Sequence, residues 1–182
     1  MMTINPEKSS DHDVIYALRT IHQSQTQLVI LADQKANILI GIVAVVLTII
    51  CTKAGFLIDL DRYALIPIAA FIVLEIAALL FALLVIMPKA TKISESMTLE
   101  TIPNPLFFGF FTQFSQAEYI DHIVNKLDSD KSSRYFIIKD LYQVGCVLKK
   151  KYTLLRYAYI STVMGVIFLM IACLAFLASH SL

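Results

Sequence analysis

Residues 64–87 read ALIPIAAFIVLEIAALLFALLVIM, an apolar run long enough to cross the roughly 30 Å hydrocarbon core of a bilayer as an α-helix. Two further apolar runs are ANILIGIVAVVLTIICT at residues 36–52 and YAYISTVMGVIFLMIACLAFLA at residues 157–178. Of the 182 residues, 58% are hydrophobic, which is well above the share in soluble domains. The chain is therefore predicted to cross a membrane three times, with its termini on opposite sides.

The basic residues are unevenly distributed among the segments outside these runs. Thirteen of the 15 lysines and arginines lie before residue 36 or between residues 88 and 156, and none follows residue 157. The positive-inside rule therefore places the N-terminus and residues 88–156 in the cytoplasm and the C-terminal tail outside. The first run comes late in the chain, which predicts an uncleaved anchor rather than a cleaved signal peptide. The net charge of only +1 gives no indication of nucleic-acid binding.

Helical periodicity continues from the first and third runs into the polar segments beside them. Residues 1–10 are expected to be disordered, and residues 11–35 to form a cytoplasmic helix that runs without Pro or Gly into the first membrane helix. Residues 88–156 are expected to be a cytoplasmic helical segment that leads into the third. The predicted fold is an all-α membrane protein with three transmembrane helices, two of them extended into a small cytoplasmic helical bundle.

Apolar stripes are predicted to form the core of that bundle. The stripe on the first helix consists of Val14, Leu18, Ile21, Leu28 and Ala32. The sequence SQAE at residues 115–118 is a capping box, and the helix that it opens carries Ile120, Ile123, Val124 and Leu127 on one face. The stripe on the last helix consists of Ile137, Leu141, Val144, Leu148, Tyr152 and Leu155. The apolar string PLFFGFF at residues 105–111 is too short to span, so it either packs on the bundle or lies in the membrane interface.

Glu75 lies near the middle of the second apolar run. A carboxylate at that depth costs several kcal/mol unless it faces protein or water, so its side chain is expected to point away from lipid. It either gates or assembles a membrane pathway, or it is a neutral glutamic acid hydrogen-bonded between helices.

Polar residues at the membrane boundary form a second group of candidates. Asp33 and Lys35 stand just before the first run, and Tyr152 and Arg156 share a helix face just before the third. Lys35 and the basic cluster at residues 149–151 can anchor the helices by contact with lipid headgroups. Alternatively, a basic side chain binds a phosphate while a tyrosine stacks on a base. Asp33 and Lys35 can also bind a ligand as a polar pair or pair with another helix.

The sequence contains no motif for catalysis or metal binding. The four histidines do not have metal-ligand spacing, and no Ser/His/Asp, P-loop or HExxH arrangement is present. We therefore expect a protein that is not an enzyme, with no catalytic residues, no metal site and no cofactor.

Several short motifs in a fixed order resemble one known family. They are ADQKA at residues 32–36, NPLFFG at 104–109, EY at 118–119, DLYQVG at 140–145 and LKKKYTLLRYAY at 148–159. Together they resemble the Pycsar transmembrane effectors of bacterial antiphage defence, over about residues 11–178. The resemblance implies that a partner pyrimidine cyclase makes cyclic UMP or cyclic CMP on infection. The effector then senses the nucleotide and impairs the inner membrane, and the infected cell dies.

The resemblance also suggests where such a ligand binds. Carried over to this sequence, the ligand-binding candidates are Asp33, Lys35, Phe108, Tyr142, Lys151, Tyr152 and Arg156. Independently of the resemblance, the depth of Glu75 in the second run makes it the candidate residue for membrane gating or assembly. Because three helices cannot enclose a pore, a homo-oligomer in the lipid bilayer is expected. Two other functions stay open, namely a membrane scaffold that docks a cytoplasmic partner and a small ion channel or transporter that uses Glu75.

Overall fold

The computed structural model describes residues 6–52, 62–87, 98–102, 104–127 and 130–180. Within these ranges, the side chains of residues 6–12, 62–64, 108, 126–127, 130–133 and 179–180 are not described. The helices are α1 (Pro6–Thr52), α2 (Arg62–Ile86), α3 (Phe108–Phe111), α4 (Gln116–Leu127) and α5 (Asp130–His180). The described ranges contain no strand, so the prediction of an all-α fold is confirmed.

Three helical segments are long and apolar enough to cross a membrane. They are Asp13–Thr52 in α1, Leu65–Ile86 in α2 and Arg134–Ala178 in α5. The first and third contain 40 and 45 residues, which is about twice what one crossing needs. The prediction of three membrane helices, two of them much longer than the bilayer, is therefore confirmed. Helix α1 begins at Pro6, before the expected start at residue 11, and residues 1–5 lie outside the described ranges.

The chain divides into two compact units. Unit 1 takes its residues from Met1–Val29 and Pro88–Leu148, and unit 2 takes its residues from Ile30–Met87 and Lys149–Leu182. Helices α1 and α5 each contribute residues to both units.

Unit 2 is a packing of the apolar parts of α1, α2 and α5. Ala36, Val85 and Leu155 form one buried cluster, and Leu39, Val43, Ala82 and Ala158 form another. Phe81 of α2 and Tyr157 of α5 add a tilted ring contact with centroids 5.8 Å apart. Large apolar side chains cover the outside of the unit, as at Ile38 and Val73, which are 63% and 67% exposed. Such a surface is favourable in lipid and unfavourable in water.

Unit 1 contains the predicted capping box at the start of α4. The Ser115 backbone N–H and hydroxyl donate to Glu118 Oε2 at 3.1 and 2.8 Å, and the Glu118 N–H donates back to Ser115 Oγ at 3.3 Å. These bonds, first from the side chain and then from the backbone of Ser115, lower the pKa of Glu118. Phe111 stacks on Tyr119 with ring centroids 4.6 Å apart, which ties α3 to α4.

Two of the predicted stripes are corrected by the structure. On α1, Val14, Ile21 and Leu28 are exposed, at 41%, 45% and 38%. The face that packs inside unit 1 is rotated by about one residue, and it consists of the half-buried Ile15, Leu18, His22, Gln25 and Val29. Leu18 and Gln25 belong to two possible heptad stripes, the predicted one and the observed one. The observed stripe contains His22, whose polar contact inside unit 1 stabilises that choice of face.

The stripe on α4 was also wrong in part, because Ile120 and Val124 are 51% and 63% exposed while Ile123 is half-buried. Leu127 lies outside the described side chains. On α5, by contrast, every residue of the predicted stripe from Ile137 to Leu155 is buried or half-buried, as expected.

Candidate functional site

An ion pair joins α1 to α5 in unit 2. Lys151 Nζ donates to Asp33 Oδ1, and the two side chains are 19% and 34% exposed. The buried cluster of Ala36, Val85 and Leu155 follows about one turn further along both helices. The structure thus brings together two of the ligand-binding candidates and sets them against the apolar packing of the unit.

The other candidates in unit 2 remain more open to the surroundings. Tyr152 is half-buried, whereas Lys35 and Arg156 are exposed. Lys149 and Lys150 are exposed as well. Asp33 already balances the charge of Lys151, whereas neither Arg156 nor Lys35 forms an ion pair with another described residue. Among the described residues, these two candidate cations are therefore the ones that an anion can approach without breaking an ion pair.

The two remaining candidates, Tyr142 and Phe108, belong to unit 1. Tyr142 is 74% exposed on α5, where a ring can stack on a ligand or on another protein. The side chain of Phe108 lies outside the described residues. In the same turn, the rings of Phe107 and Phe110 contact each other edge to face at 5.6 Å.

A polar junction in unit 1 was not predicted from the sequence. Asp140 on α5 accepts one hydrogen bond from His22 Nε2 at 2.7 Å and another from Asn104 Nδ2 at 2.6 Å. Asn104 is 1% exposed, and its Oδ1 accepts the Leu106 N–H at 2.9 Å. One carboxylate therefore connects α1, α5 and the turn that leads to α3.

Sequence reasoning overlooked this junction because it tested the histidines only for metal ligation. The useful indication was that His22 and Asp140 interrupt otherwise apolar faces, which predicts a polar pair between helices. Both Asn104 and Asp140 also stand in the motifs that carry the family resemblance.

The two polar pairs between α1 and α5 have the same sequence separation. His22 and Asp140 are 118 residues apart, and so are Asp33 and Lys151. The acidic residue lies on α5 in the pair of His22 with Asp140, and on α1 in the pair of Asp33 with Lys151.

Glu75 lies inside unit 2, between α2 and α5. It is 2% exposed, and its Oε2 has no hydrogen-bond partner among the described residues. Thr162 lies beside the carboxyl group, and its hydroxyl donates to the Ala158 carbonyl at 3.2 Å. A Cβ at Gly165 would lie 2.8 Å from Glu75 Oε1, so the absence of a side chain there makes room for the carboxyl group.

The described residues include no cluster of three or more His, Cys, Asp or Glu side chains placed to hold a metal ion. A shallow depression in unit 1 is acidic and therefore unsuited to an anion. It is lined by Leu99, Glu100, Glu118, Asp121, His122 and Asn125.

One comparison with known proteins gives a match. The family model described as the Pycsar effector protein domain matches residues 16–178, which is most of the chain. No curated protein and no solved structure gives a match.

Proposed function

Because the chain belongs to the Pycsar effector protein family of antiphage defence, we propose that it is a membrane effector activated by cyclic UMP or cyclic CMP. Activation impairs the bacterial inner membrane, so the infected cell dies before phage is released. The observation that carries this proposal is the family match over residues 16–178, joined to the three helices that can cross a membrane.

The proposed orientation puts the N-terminus and the segment before the third membrane helix in the cytoplasm, with the C-terminus outside. The distribution of lysine and arginine supports it, because nearly all of them then lie on the cytoplasmic side. A pyrimidine cyclase, the proposed functional partner, releases its product on that same side. The nucleotide therefore reaches the effector without crossing the bilayer.

The proposed ligand site is the group of cations and tyrosine near the Asp33–Lys151 pair in unit 2. A cyclic nucleotide carries one negative charge and a planar base, which suit a guanidinium or ammonium group and an aromatic ring. Arg156 and Lys35 are exposed and can meet the phosphate, and Tyr152 is one turn before Arg156 on the same helix face. A phosphate that draws Lys151 away from Asp33 would weaken a contact between α1 and α5.

Tyr142 and Phe108, which belong to unit 1, are proposed as ligand-binding residues in their own right, apart from the group in unit 2. The exposure of Tyr142 supports this role, because a ring that is 74% exposed can stack on a base without moving other side chains.

Activation also requires a membrane element that responds to the ligand. Three helices per chain cannot enclose a pore, so we propose that the effector acts as a homo-oligomer. Glu75 is the proposed gating residue, and it is buried against Gly165 and Thr162 in its own chain. A shift of α5 against α2 would expose this carboxyl group, and the nucleotide must favour the shifted arrangement over the resting one.

A second function is favoured by one observation. Among the described residues, Oε2 of Glu75 has no hydrogen-bond partner, and a polar atom of this kind in an apolar unit is typical of an ion or proton pathway. A small ion channel or transporter would carry ions without any nucleotide, whereas the effector does so only with one.

Nucleotide binding by the purified full chain in detergent tests the proposed site. Equilibrium dialysis with cyclic UMP, cyclic CMP and cyclic AMP is expected to show saturable binding of a pyrimidine nucleotide and none of cyclic AMP. Arg156→Ala is expected to weaken that binding about tenfold or more, because it removes a charge-assisted hydrogen bond. Arg19→Ala is the matched control, since Arg19 is an exposed arginine outside the proposed site. Equal binding by both variants would remove Arg156 from the site, and no saturable binding of any nucleotide would refute direct sensing.

A further inference from the structure

The exposed face of α1 in unit 1 has an apolar stripe that the fold of one chain leaves uncovered. Val14, Ile21 and Leu28 recur every seven residues and are 41%, 45% and 38% exposed. The exposed Ala17 and Ser24 fill the intermediate positions of the heptads. We call these five residues the outer seam. The inner face of the same helix is already occupied within unit 1, where His22 contacts Asp140.

The surroundings of the outer seam are almost without charge. Between Val14 and Ala32, Arg19 is the only lysine, arginine, aspartate or glutamate, although the exposed Asp13 lies just before this stretch. The positions that flank the seam within it are Leu18, Thr20, Gln25 and Gln27. A helix that meets only water normally carries charged residues on its outer face. Depletion of charge around an apolar centre is instead the composition of a protein–protein interface.

A membrane surface is a poorer occupant for this face. Helices that lie in the headgroup region carry several lysines or arginines on their polar side, and this stretch has Arg19 alone. A protein partner is therefore favoured, and its surface must be apolar at heptad spacing with no charge that would be buried alone.

A second copy of this chain meets those requirements. All copies inserted in one membrane share one orientation, so their α1 helices are parallel and can present identical seams to each other. Pairing like with like sets Val14, Ile21 and Leu28 against their own counterparts and buries no charge. The inner face cannot pair in this way, because it already packs inside unit 1, where His22 contacts Asp140. Lys35 is the next charged residue at the seam spacing, so repulsion between copies ends the contact before the membrane boundary.

We propose that two or more copies associate in parallel through the outer seam of α1. The seam is exposed without a ligand, so this association does not need the nucleotide. Its importance for membrane damage rests on the proposed function, whereas the contact itself can be tested without any nucleotide.

Cysteine cross-linking of the full chain in native membranes tests the contact. Cys51, Cys146 and Cys173 are first changed to alanine, and then Val14→Cys, Ile21→Cys and Leu28→Cys are made one at a time. Each is expected to form a disulfide-linked dimer on oxidation, because each residue faces its counterpart within reach of a disulfide. Gln23→Cys is the matched control, since Gln23 is exposed on the same helix but off the seam, and it is expected to cross-link several-fold less.

A charge placed in the seam gives a second readout. Ile21→Lys is expected to weaken association about tenfold or more in detergent, because the apolar contact is lost and two ammonium groups are brought together. Gln23→Lys is expected to leave the oligomeric mass unchanged. The proposal is overturned if no seam cysteine cross-links, or if Gln23→Cys cross-links as well as Ile21→Cys. Cross-linking at the seam in a protein that binds no cyclic nucleotide would keep the contact and reject the proposed signal.

Discussion

The contact between Glu75 and Gly165 predicts a measurable effect of a single methyl group. In Gly165→Ala, the new Cβ would lie 2.8 Å from Glu75 Oε1 and 3.4 Å from Phe71 Cδ2. The first distance is shorter than Cβ atoms tolerate, so the carboxyl group must move. Glu75 and Phe71 are 2% and 1% exposed, which leaves little space for that movement. Overpacking of this kind costs about 1–3 kcal/mol.

Helix propensity opposes this cost, because alanine is favoured over glycine within helices by roughly 1 kcal/mol in water. The same substitution at Gly41 measures this gain from helix propensity, so that it can be subtracted. Gly41 lies in the membrane part of α1, and a Cβ there would have nothing within 4 Å. Gly41→Ala therefore reports propensity alone, and the difference between the two variants isolates the contact with Glu75.

Unfolding of the purified protein by detergent titration, followed by circular dichroism, gives the two free energies. Gly165→Ala is expected to be less stable than Gly41→Ala by about 1–3 kcal/mol. In a Glu75→Ala background this difference should shrink, because the carboxyl group is gone. If Gly165→Ala matches Gly41→Ala to within about 0.5 kcal/mol, the packing between α2 and α5 described above is incorrect. If the difference persists without the carboxyl group, Glu75 is not its cause.

Further predictions concern contacts outside the apolar interior. Asp33→Lys is expected to destabilise the protein by about 1–3 kcal/mol, since two cations then meet at Lys151, and Lys151→Asp in the same chain is expected to recover most of the loss. Asp140→Asn is expected to cost about 1–3 kcal/mol, because the amide cannot accept both hydrogen bonds of the polar junction. Ser115 lowers the folded-state pKa of Glu118 below its ordinary value of 4.5, so the cap stabilises α4 fully above that pH and is lost as the pH falls through the lowered pKa. Ser115→Ala is expected to reduce this acid dependence, because the bond from the hydroxyl is lost while the bond from the backbone N–H stays, and hydrogen exchange of the α4 amides would detect the change.

Each of these predictions has its own control. Asp33→Lys and Lys151→Asp should each make the protein less stable than the double exchange does. If the double variant is as unstable as either single variant, the ion pair is not the cause of the lost stability. Asp121→Asn, at an exposed aspartate of α4, should leave stability nearly unchanged. If Asp121→Asn destabilises the protein as much as Asp140→Asn does, the loss of stability comes from the change in net charge and not from the polar junction. If Ser115→Ala leaves the acid sensitivity of α4 unchanged, the Ser115 hydroxyl is not its cause.

The membrane helices and their continuation into long helices could be predicted from the sequence alone. Apolar length determines a crossing, and the absence of Pro and Gly between residues 11 and 36 indicated that α1 would not end at the boundary. The capping box could also be predicted from the sequence, because Ser115 and Glu118 are only three residues apart.

The face that each helix buries was harder to predict. Leu18 and Gln25 belong to two overlapping heptads of α1, and periodicity cannot choose between them. The choice depends on a contact between residues 118 apart, His22 and Asp140, which no local pattern contains. The apolar face of α4 was misjudged for a similar reason, since a face that suits an internal core also suits a partner outside the chain.

Among the candidate site residues, the pairing of Asp33 with Lys151 could not be predicted either. The sequence placed both residues near the membrane boundary and left open that Asp33 pairs with another helix, but it did not identify Lys151 as the partner. The structure places the Asp33 carboxylate in contact with the lysine, so binding at Lys151 requires an exchange of partners.

Leakage of a dye from liposomes that contain the purified full chain tests the central claim most directly. Cyclic UMP, cyclic CMP and cyclic AMP are added separately to the outside of vesicles in which the cytoplasmic side faces outwards. The account predicts that at least one pyrimidine nucleotide releases the dye and that cyclic AMP does not. Dye retained with both pyrimidine nucleotides, or released equally without any nucleotide, would contradict it.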